Sequence, residues 1–241
     1  MPFFVAMIYL SIIIPAYNEE RRIASTLTKI LNYLSDRDYT WEIILVDDGS
    51  TDRTLYKARE VIRDERLIII ENPVNHGKGY SVKKGILASK GEILLFSDAD
   101  LSTPIEEMDK MLSWIEKGYD IVIGSRALPD SIIELPQAWH RQTMGKIFNL
   151  LVHTVVLKGF KDTQCGFKCF KREGALKIFN LQRITGFAFD VEILLIARKF
   201  GFNIKEVPVR WMNSPESKVH IIKGSLSMLI ELFKMWYYWK R

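Results

Sequence analysis

Apolar residues in the first half of the chain form short runs, and each run is followed by polar residues. The runs have the length and composition of buried strands in a parallel sheet, and they cover residues 10–14, 41–46, 67–70, 93–96 and 119–123. Helices are predicted between them, over residues 23–34, 54–62 and 80–88. This alternation predicts the α/β class, with a doubly wound, mostly parallel sheet flanked by helices.

The pattern changes after residue 126. The second half predicts a mixture of helices over 139–157, 187–200 and 221–238, a short strand over 165–170, an edge strand over 205–211 and a loop over 213–217. The last helix is rich in Leu, Met and aromatic residues, so we expect a C-terminal amphipathic helix. No repeat, low-complexity tract or flexible linker interrupts the chain, and we expect a single domain over residues 1–241.

Composition narrows the class without choosing a function. The chain has 241 residues and a formal net charge of +5, which favours an anionic partner such as a nucleotide, a lipid phosphate, a membrane surface or nucleic acid. Cys165 and Cys169 are too few for a disulfide scaffold and predict reduced thiols. Residues 1–9 lack the basic region of a signal peptide. Because the sequence contains no stretch of about 20 apolar residues, we expect no transmembrane helix.

The strongest candidate site follows the apolar run at 93–96. Asp98 and Asp100 come where a parallel strand ends, and open α/β sheets bind ligands at that edge. Neighbouring carboxylates repel each other, and a hard divalent cation such as Mg²⁺ or Mn²⁺ relieves the repulsion and bridges the diphosphate of a nucleotide. The alternative is an acidic turn that caps the next helix, with Ser102 or Thr103 as the N-cap.

Two more polar segments follow predicted strands. Asp47 and Asp48 precede a glycine, and they are typical either of a turn that caps a helix or of a nucleoside contact. Residues 76–79 (HGKG) form either a simple loop or one that brings backbone N–H groups and Lys78 toward phosphate. The chain lacks both the P-loop pattern and a Gly-x-Gly-x-x-Gly segment after its first strand, which disfavours P-loop NTPases and dinucleotide dehydrogenases.

Taken together, three segments resemble the nucleotide-sugar site of the family 2 inverting glycosyltransferases of GT-A fold. They are 15–19 (PAYNE), 46–52 (VDDGSTD) and 98–100 (DAD). The second half is similar to the dolichyl-phosphate glucosyltransferases and the related dolichyl-phosphate mannose synthases at 124–126 (GSR), 162–168 (DTQCGFK), 187–192 (FAFDVE) and 216–218 (ESK). Ser102 replaces a glutamine of the mannose synthases, which weakens the mannose interpretation and leaves the third metal ligand open.

The resemblance implies roles for the two halves of the chain. Residues 1–126 would bind the nucleotide sugar, and residues 127–241 would bind the acceptor and supply interfacial helices. The nucleoside would be held by Pro15, Tyr17, Glu19, Val46 and Asp48. Asp98 and Asp100 would carry the metal, with the Ala99 backbone near the diphosphate. The catalytic set would be completed by cations that face phosphates, namely Arg126, Arg141 and Lys218, with Arg210 as a further candidate.

The reaction implied by the resemblance moves glucose from UDP-glucose to a dolichyl or polyprenyl phosphate with inversion, giving a β-linked lipid-phosphate sugar. The acceptor oxygen is already anionic at neutral pH, so no strong general base is required. Alternatives are GDP-mannose as the donor, a glycan hydroxyl as the acceptor, and a nucleotide-sugar-binding protein without turnover. Nucleic acid is not an expected partner, because no basic run is interleaved with aromatic residues.

The helices predicted over 139–157 and 221–238 bear on location. Apolar and aromatic faces flanked by Lys and Arg suit helices that lie in a membrane interface. The alternative is that these helices pack on each other or on a second copy in a homodimer. We therefore expect a peripheral protein at the cytoplasmic face of a membrane.

Overall fold

The computed structural model describes residues 7–61, 65–135, 145, 148–149, 151–152, 157–213 and 221–239, without the side chains of 221–226. The strands are β1 (Leu10–Ala16), β2 (Trp41–Asp47), β3 (Leu67–Glu71), β4 (Ile93–Ser97), β5 (Ile121–Ser125), β6 (Ile132–Leu135), β7 (Phe167–Lys171), β8 (Ile204–Pro208) and β9 (Arg210–Met212). The helices are α1 (Ile23–Ser35), α2 (Thr54–Val61), α3 (Lys78–Ala88), α4 (Met108–Glu116), α5 (Arg172–Leu181), α6 (Phe189–Lys199) and α7 (Ile221–Trp239).

Seven of the described strands form one sheet in the order β3-β2-β1-β4-β7-β5-β8. Strand β7 is antiparallel to both of its neighbours, β4 and β5, and the other pairs in this sheet are parallel. The predicted α/β class and the mostly parallel sheet are confirmed. Because β1, β2, β4 and β5 run the same way, the polar segments that follow them meet at one edge of the sheet.

The sheet separates two apolar cores. Alternate side chains of β1 point to opposite faces: Ile12 and Ile14 join the core under α1 and α4, whereas Ile13 joins the core under α3, α5 and α6. The second core also contains Leu232 and Met235 of α7. Burial of both faces explains why the strands appear in the sequence as continuous apolar runs.

The boundaries show where the sequence was informative. The five predicted strands of the first half all form, and α3 begins at Lys78 rather than residue 80. The predicted edge strand over 205–211 is divided into β8, at the edge of the main sheet, and β9, which pairs with β6 in a separate two-stranded sheet. Helix α5 and strand β6 were not predicted. The helix predicted over 139–157 and the loop over 213–217 lie largely outside the described residues.

The C-terminal helix is present as predicted, over 221–239. Its buried side includes Leu232 and Met235, while large apolar residues remain on its outer side. No helix formed by the described residues is long and apolar enough to cross a membrane.

Candidate active site

Asp98 lies directly beyond β4, and its carboxylate is paired with a lysine. Lys78 Nζ is 2.6 Å from Asp98 Oδ1, and the Asp98 side chain keeps about a third of its surface exposed (33%). Burial alone would lower the pKa of Lys78, but the carboxylates of Asp98, Asp190 and Asp100 outweigh burial and raise it. Lys78 is therefore a fixed cation beside the predicted metal-binding pair.

The backbone of the loop that precedes β7 lies against the Asp98 carboxylate at Gly166. The Asp98 N–H donates to the Gly166 carbonyl at 3.0 Å. A Cβ added to Gly166 would lie 1.9 Å from Asp98 Oδ2, so a side chain at position 166 would displace the carboxylate. The glycine of segment 162–168 is thus required by close approach to Asp98.

Asp100 has a different environment from Asp98. Burial and the charge of Asp98 raise the pKa of Asp100. The Ser102 N–H, which donates to Asp100 Oδ1 at 2.9 Å, and the nearby Arg22 both act to lower that pKa. The alternative in which Ser102 or Thr103 caps the next helix is wrong. The residue preceding the 3₁₀ turn Ile105–Glu107 is Pro104, and no side chain caps that turn.

A second lysine–aspartate pair lies buried behind Asp98. Lys168 is fully buried, forms an ion pair with Asp190 at the start of α6, and donates to the Cys165 carbonyl at 2.6 Å. Burial raises the pKa of Asp190, although Lys168 and Lys78 act in the opposite direction. Asp98 and Asp190 therefore share the charge of Lys78, and the site rests on an alternating array of cations and anions.

Arg126, which follows β5, is held by a carboxylate. Its Nε and Nη2 lie 2.7 and 2.9 Å from the two carboxylate oxygens of Asp162, and its N–H donates to Asp162 Oδ2 at 3.0 Å. Burial alone would raise the pKa of Asp162, but the Arg126 guanidinium outweighs burial and lowers that pKa to about 2. The Arg126 side chain is 30% exposed, lies over the Trp211 ring at 5.6 Å and interacts electrostatically with Asp98.

Hydrogen bonds join the loops after β1 and β2. The N–H groups of Asn18 and Glu19 donate to the hydroxyls of Ser50 and Thr54 at 2.8 and 2.7 Å. The Glu19 carboxylate pairs with Arg22, and Arg22 interacts with Asp100. The first two segments of the resemblance are thus held together, and they are electrostatically linked to the third.

The Asp48 carboxylate is buried and accepts three protein donors. Asp48 Oδ1 accepts from the Asn72 side-chain amide at 2.8 Å and the His76 N–H at 3.0 Å, and Oδ2 accepts from the Gly77 N–H at 2.8 Å. Asp48 therefore fixes the loop that carries Lys78. In neighbouring Asp47, Oδ2 accepts the Ser50 N–H at 3.0 Å, while Oδ1 is buried without a hydrogen-bond partner among the described residues.

The remaining predicted site residues fall into four groups. Pro15 and Val46 are paired across β1 and β2, and Tyr17 is exposed on the loop after β1. The Ala99 carbonyl accepts the Thr26 hydroxyl at 2.6 Å. Arg210 is partly exposed and its Nε donates to Glu107 at 3.0 Å. The predictions for Arg141 and Lys218 lie outside the described residues.

Residue-level sequence reasoning missed part of the array. Lys78 was connected with phosphate but not with Asp98, and the segments 162–168 and 187–192 were quoted without roles for Asp162, Lys168 and Asp190. The signal available was their type: a lysine within an apolar strand and an aspartate at a helix start are rarely buried unless paired. Their sequence separations of 22 and 36 residues hid the pairings.

The acidic pair at the end of β4 fits a divalent cation. Asp98 and Asp100 offer two carboxylates at this edge, and the part of the chain that the structure describes contains no cluster of three or more His, Cys, Asp or Glu that could hold a metal ion. Burial, together with the charge of Asp98, raises the pKa of Asp100, and a cation bound beside it would act in the opposite direction. An incomplete set of oxygen ligands is what Mg²⁺ and Mn²⁺ sites on nucleotide phosphates use.

A mostly parallel sheet with two carboxylates and several fixed cations at one edge is compatible with an enzyme that acts on nucleotide diphosphates. Comparison with known proteins identifies the family. The model of Glycosyl transferase family 2 matches residues 11–179, and the chain belongs to this family and is a glycosyltransferase.

Curated relatives narrow the similarity. Dolichyl-phosphate beta-glucosyltransferases are 36% identical in Trichomonas vaginalis (95% of this chain, 73% of the relative), 37% in Dictyostelium discoideum (95% and 74%) and 34% in Saccharomyces cerevisiae (93% and 73%). These matches confirm the family resemblance recognised from residues 15–19, 46–52 and 98–100.

Solved structures confirm the GT-A-like fold. Mannosyl-3-phosphoglycerate synthase from Rubrobacter xylanophilus superposes with a TM-score of 0.73 at 17% identity (96% of this chain, 74% of that chain). Glucosyl-3-phosphoglycerate synthase from Mycobacterium tuberculosis, in complex with Mn²⁺, UDP-glucose and phosphoglyceric acid, gives 0.70 at 18% identity (94% and 79%).

Proposed function

We propose that this glycosyltransferase moves glucose from UDP-glucose to the phosphate of a dolichyl or other polyprenyl phosphate, with inversion, to give a β-linked lipid-phosphate sugar. The observation that carries the proposal is the 34–37% identity to dolichyl-phosphate beta-glucosyltransferases over nearly the whole chain. The cationic surroundings of the β4 edge support it, because both substrates of this reaction are anions.

Residues 1–126 are proposed to bind the donor. Tyr17, Glu19, Pro15 and Val46 are assigned to the nucleoside side because they lie on or beside the joined loops after β1 and β2. Asp48 is assigned to donor binding through the loop it fixes, which begins at residue 76. The backbone at Ala99 lies between the two metal-binding carboxylates and is assigned to the diphosphate.

Asp98 and Asp100 are proposed to hold Mg²⁺ or Mn²⁺. Bound there, the cation supplies positive charge to the departing nucleoside diphosphate. Lys78 adds a further fixed charge at the same edge, 2.6 Å from Asp98. The Mn²⁺ and UDP-glucose in a complex of the structurally similar glucosyl-3-phosphoglycerate synthase are compatible with this assignment.

Residues 127–241 are proposed to bind the acceptor, together with Arg126 at the end of β5. Arg126 is already positioned by Asp162, so it offers its remaining guanidinium surface to a phosphate without rearrangement. Arg141 and Lys218 are assigned to the same anion. Since the acceptor oxygen carries its charge at neutral pH, these residues are required to align the anion rather than to remove a proton.

The location is proposed to be peripheral, at the cytoplasmic face of a membrane. The outer side of α7 exposes three large apolar residues, which we call the aromatic face: Ile230, Phe233 and Tyr237. Aromatic residues of this kind are favoured at the lipid–water interface. Cys165 and Cys169 are free thiols, as a reducing compartment requires. A homodimer that covers the same face is the competing arrangement, which sedimentation of the protein without lipid would reveal.

A transfer assay tests the proposed function. The protein is incubated with radiolabelled UDP-glucose, Mg²⁺ or Mn²⁺ and a short polyprenyl phosphate, and radioactivity in the organic phase is measured. We expect label from UDP-glucose and a reaction lost with Asp100→Asn. Label from GDP-mannose but not from UDP-glucose would show that GDP-mannose is the donor. Absence of lipid-linked sugar with either donor would contradict the proposal.

A further inference from the structure

The C-terminal helix α7 is joined to the donor side of the site by a carboxylate. Glu231 Oε2 accepts the Ala188 N–H at 2.9 Å, and the carboxylate also accepts the Gly186 N–H. A Cβ added to Gly186 would lie 2.0 Å from Glu231 Oε1, so the two groups are in direct contact. Glu231 thus holds the backbone of residues 186–188, which precede α6.

A second carboxylate fixes the end of the same helix. Glu192 of α6 is fully buried; its Oε1 accepts the Trp239 indole N–H at 2.8 Å. Its Oε2 accepts the N–H groups of Arg183 and Ile184 at 2.9 and 2.7 Å. Two glutamates, one on each helix, therefore bind α7 to the segment 183–188.

The segment 183–188 in turn packs against the backbone on both sides of Lys78. A Cβ on Gly77 would lie 2.6 Å from the Thr185 carbonyl oxygen, and one on Gly79 would lie 2.8 Å from the Ile184 carbonyl oxygen. The Thr185 carbonyl also accepts the Tyr80 N–H at 3.1 Å. With no side chain at either glycine, the segment and the first turn of α3 are in direct backbone contact.

Lys78, at the start of α3, carries this connection to the metal-binding pair through its ion pair with Asp98. A continuous set of contacts therefore runs from Glu231 through Gly186, Thr185 and Gly77 to Lys78 and Asp98. On the opposite side of α7 is the aromatic face, where Phe233 and Tyr237 are 73% and 78% exposed.

We propose that Glu231 is a positioning residue that couples attachment of the aromatic face of α7 to a lipid surface with binding of the donor diphosphate at Lys78 and Asp98. The inference rests on the proposed function for the identity of the donor and of the surface. A lipid surface that holds α7 in its docked position favours the arrangement of α3 that receives the diphosphate. Donor binding favours the docked helix by the same factor, because such coupling is reciprocal.

Hydrogen exchange tests the contact path without donor or lipid. In Glu231→Ala, we expect the amides of Gly77 and Tyr80 to exchange about tenfold faster or more than in the wild type, while the amides of β1 are unchanged. Glu173→Ala is the matched control, since Glu173 is an exposed glutamate on α5. Unchanged exchange at Gly77 and Tyr80 in folded Glu231→Ala would overturn the proposal. This result does not depend on whether UDP-glucose is the donor.

Calorimetric titration of UDP with Mn²⁺, with and without vesicles of phosphatidylcholine and phosphatidylserine, tests the coupling. Vesicles should tighten UDP binding to the wild type and to Glu173→Ala by about fivefold or more, and they should have no such effect on Glu231→Ala. Glu231→Gln keeps one oxygen acceptor, so it should recover part of the effect, and it replaces the alanine variant if that protein does not fold. An equal vesicle effect in all variants, or none in the wild type, would overturn the coupling.

Discussion

Two acidic pairs follow parallel strands of the same sheet, and the structure treats them differently. Asp47 and Asp48 at the end of β2 are almost fully buried, and the Asp48 carboxylate accepts protein donors at both oxygens. Asp98 and Asp100 after β4 remain partly exposed, and Asp100 has a raised pKa because burial and Asp98 disfavour its charge. The first pair builds the loops around the site, whereas the second is the pair that we propose to bind a cation.

The difference arises from the neighbouring backbone. A loop that includes His76 and Gly77 turns its N–H groups toward Asp48, and such donors stabilise a buried carboxylate. The Asp98 carboxylate is paired instead with the Lys78 ammonium at 2.6 Å, and the nearby backbone at Gly166 presents a carbonyl that accepts the Asp98 N–H. The environments of the two acidic patterns, Asp47-Asp48 and Asp98-x-Asp100, therefore differ because different loops pack against them.

Asp100→Asn should give the largest effect. We expect glucose transfer to fall by a factor of 100 or more, because an amide is a poor ligand for a hard divalent cation, while the circular dichroism spectrum is unchanged. Turnover near the wild-type rate in the folded variant would remove the assignment of the metal to this pair.

Gly166→Ala should be the next most damaging substitution. The added Cβ would fall 1.9 Å from Asp98 Oδ2, so the carboxylate must leave its place beside Lys78. We expect kcat to fall by roughly tenfold to a hundredfold, which is the range typical of losing a group that orients a metal ligand. Gly118→Ala serves as a substitution control for a glycine with open space, although its positive φ makes that variant mainly a test of stability. Full activity of Gly166→Ala would show that the position of Asp98 is not critical.

Asp48→Ala should affect both folding and donor binding. Removal of the carboxylate leaves the N–H groups of His76 and Gly77 without their acceptor, and we expect a loss of about 2–4 kcal/mol in the free energy of unfolding. Among molecules that remain folded, KM for the donor should rise more than kcat falls, since the loop lies on the donor side. Denaturant unfolding and donor titration measure the two effects. A fall in kcat at saturating donor, with KM unchanged, would contradict the assignment.

The smallest effect is expected in the thermal stability of the metal-free protein. Burial in the folded state raises the pKa of Asp100 above its unfolded value of 3.8. The folded protein therefore binds this proton more tightly than the unfolded chain does, and its stability falls as pH rises through the folded pKa of Asp100. Asp100→Asn should therefore raise Tm at pH 7 by about 1–3 °C, whereas Asp48→Ala lowers it. At a pH below 3.8 the gain should disappear. A lower Tm for Asp100→Asn at pH 7 would mean that its charge is stabilised by the protein itself.

The sequence was sufficient for the architecture in its first half. Strands β1, β2 and β4 are buried on both faces, so they appear as unbroken apolar runs whose ends were identified to within a few residues. The second half was harder. Helix α5 is short and has Gly174 in its first turn, and β6 is exposed throughout, so neither carries a strong pattern.

The residue types at this edge of the sheet were predictable from the sequence, but their pairings were not. The spacing of Asp98 and Asp100 after an apolar run indicated a metal-binding edge. In contrast, the partners of Asp48, Arg126 and Lys168 come from segments 22 to 36 residues away, and local sequence does not encode which loop supplies them. Whether a carboxylate binds a ligand or supports a loop depends on those partners.

Calorimetric titration of UDP with and without Mn²⁺ tests the difference between the two acidic pairs most directly. Wild type and Asp48→Asn should both bind UDP about tenfold more tightly or better when Mn²⁺ is present, even if Asp48→Asn binds more weakly under both conditions. Asp100→Asn should bind UDP equally with and without the metal. Retention of the Mn²⁺ effect in Asp100→Asn, or its loss in Asp48→Asn, would contradict the account.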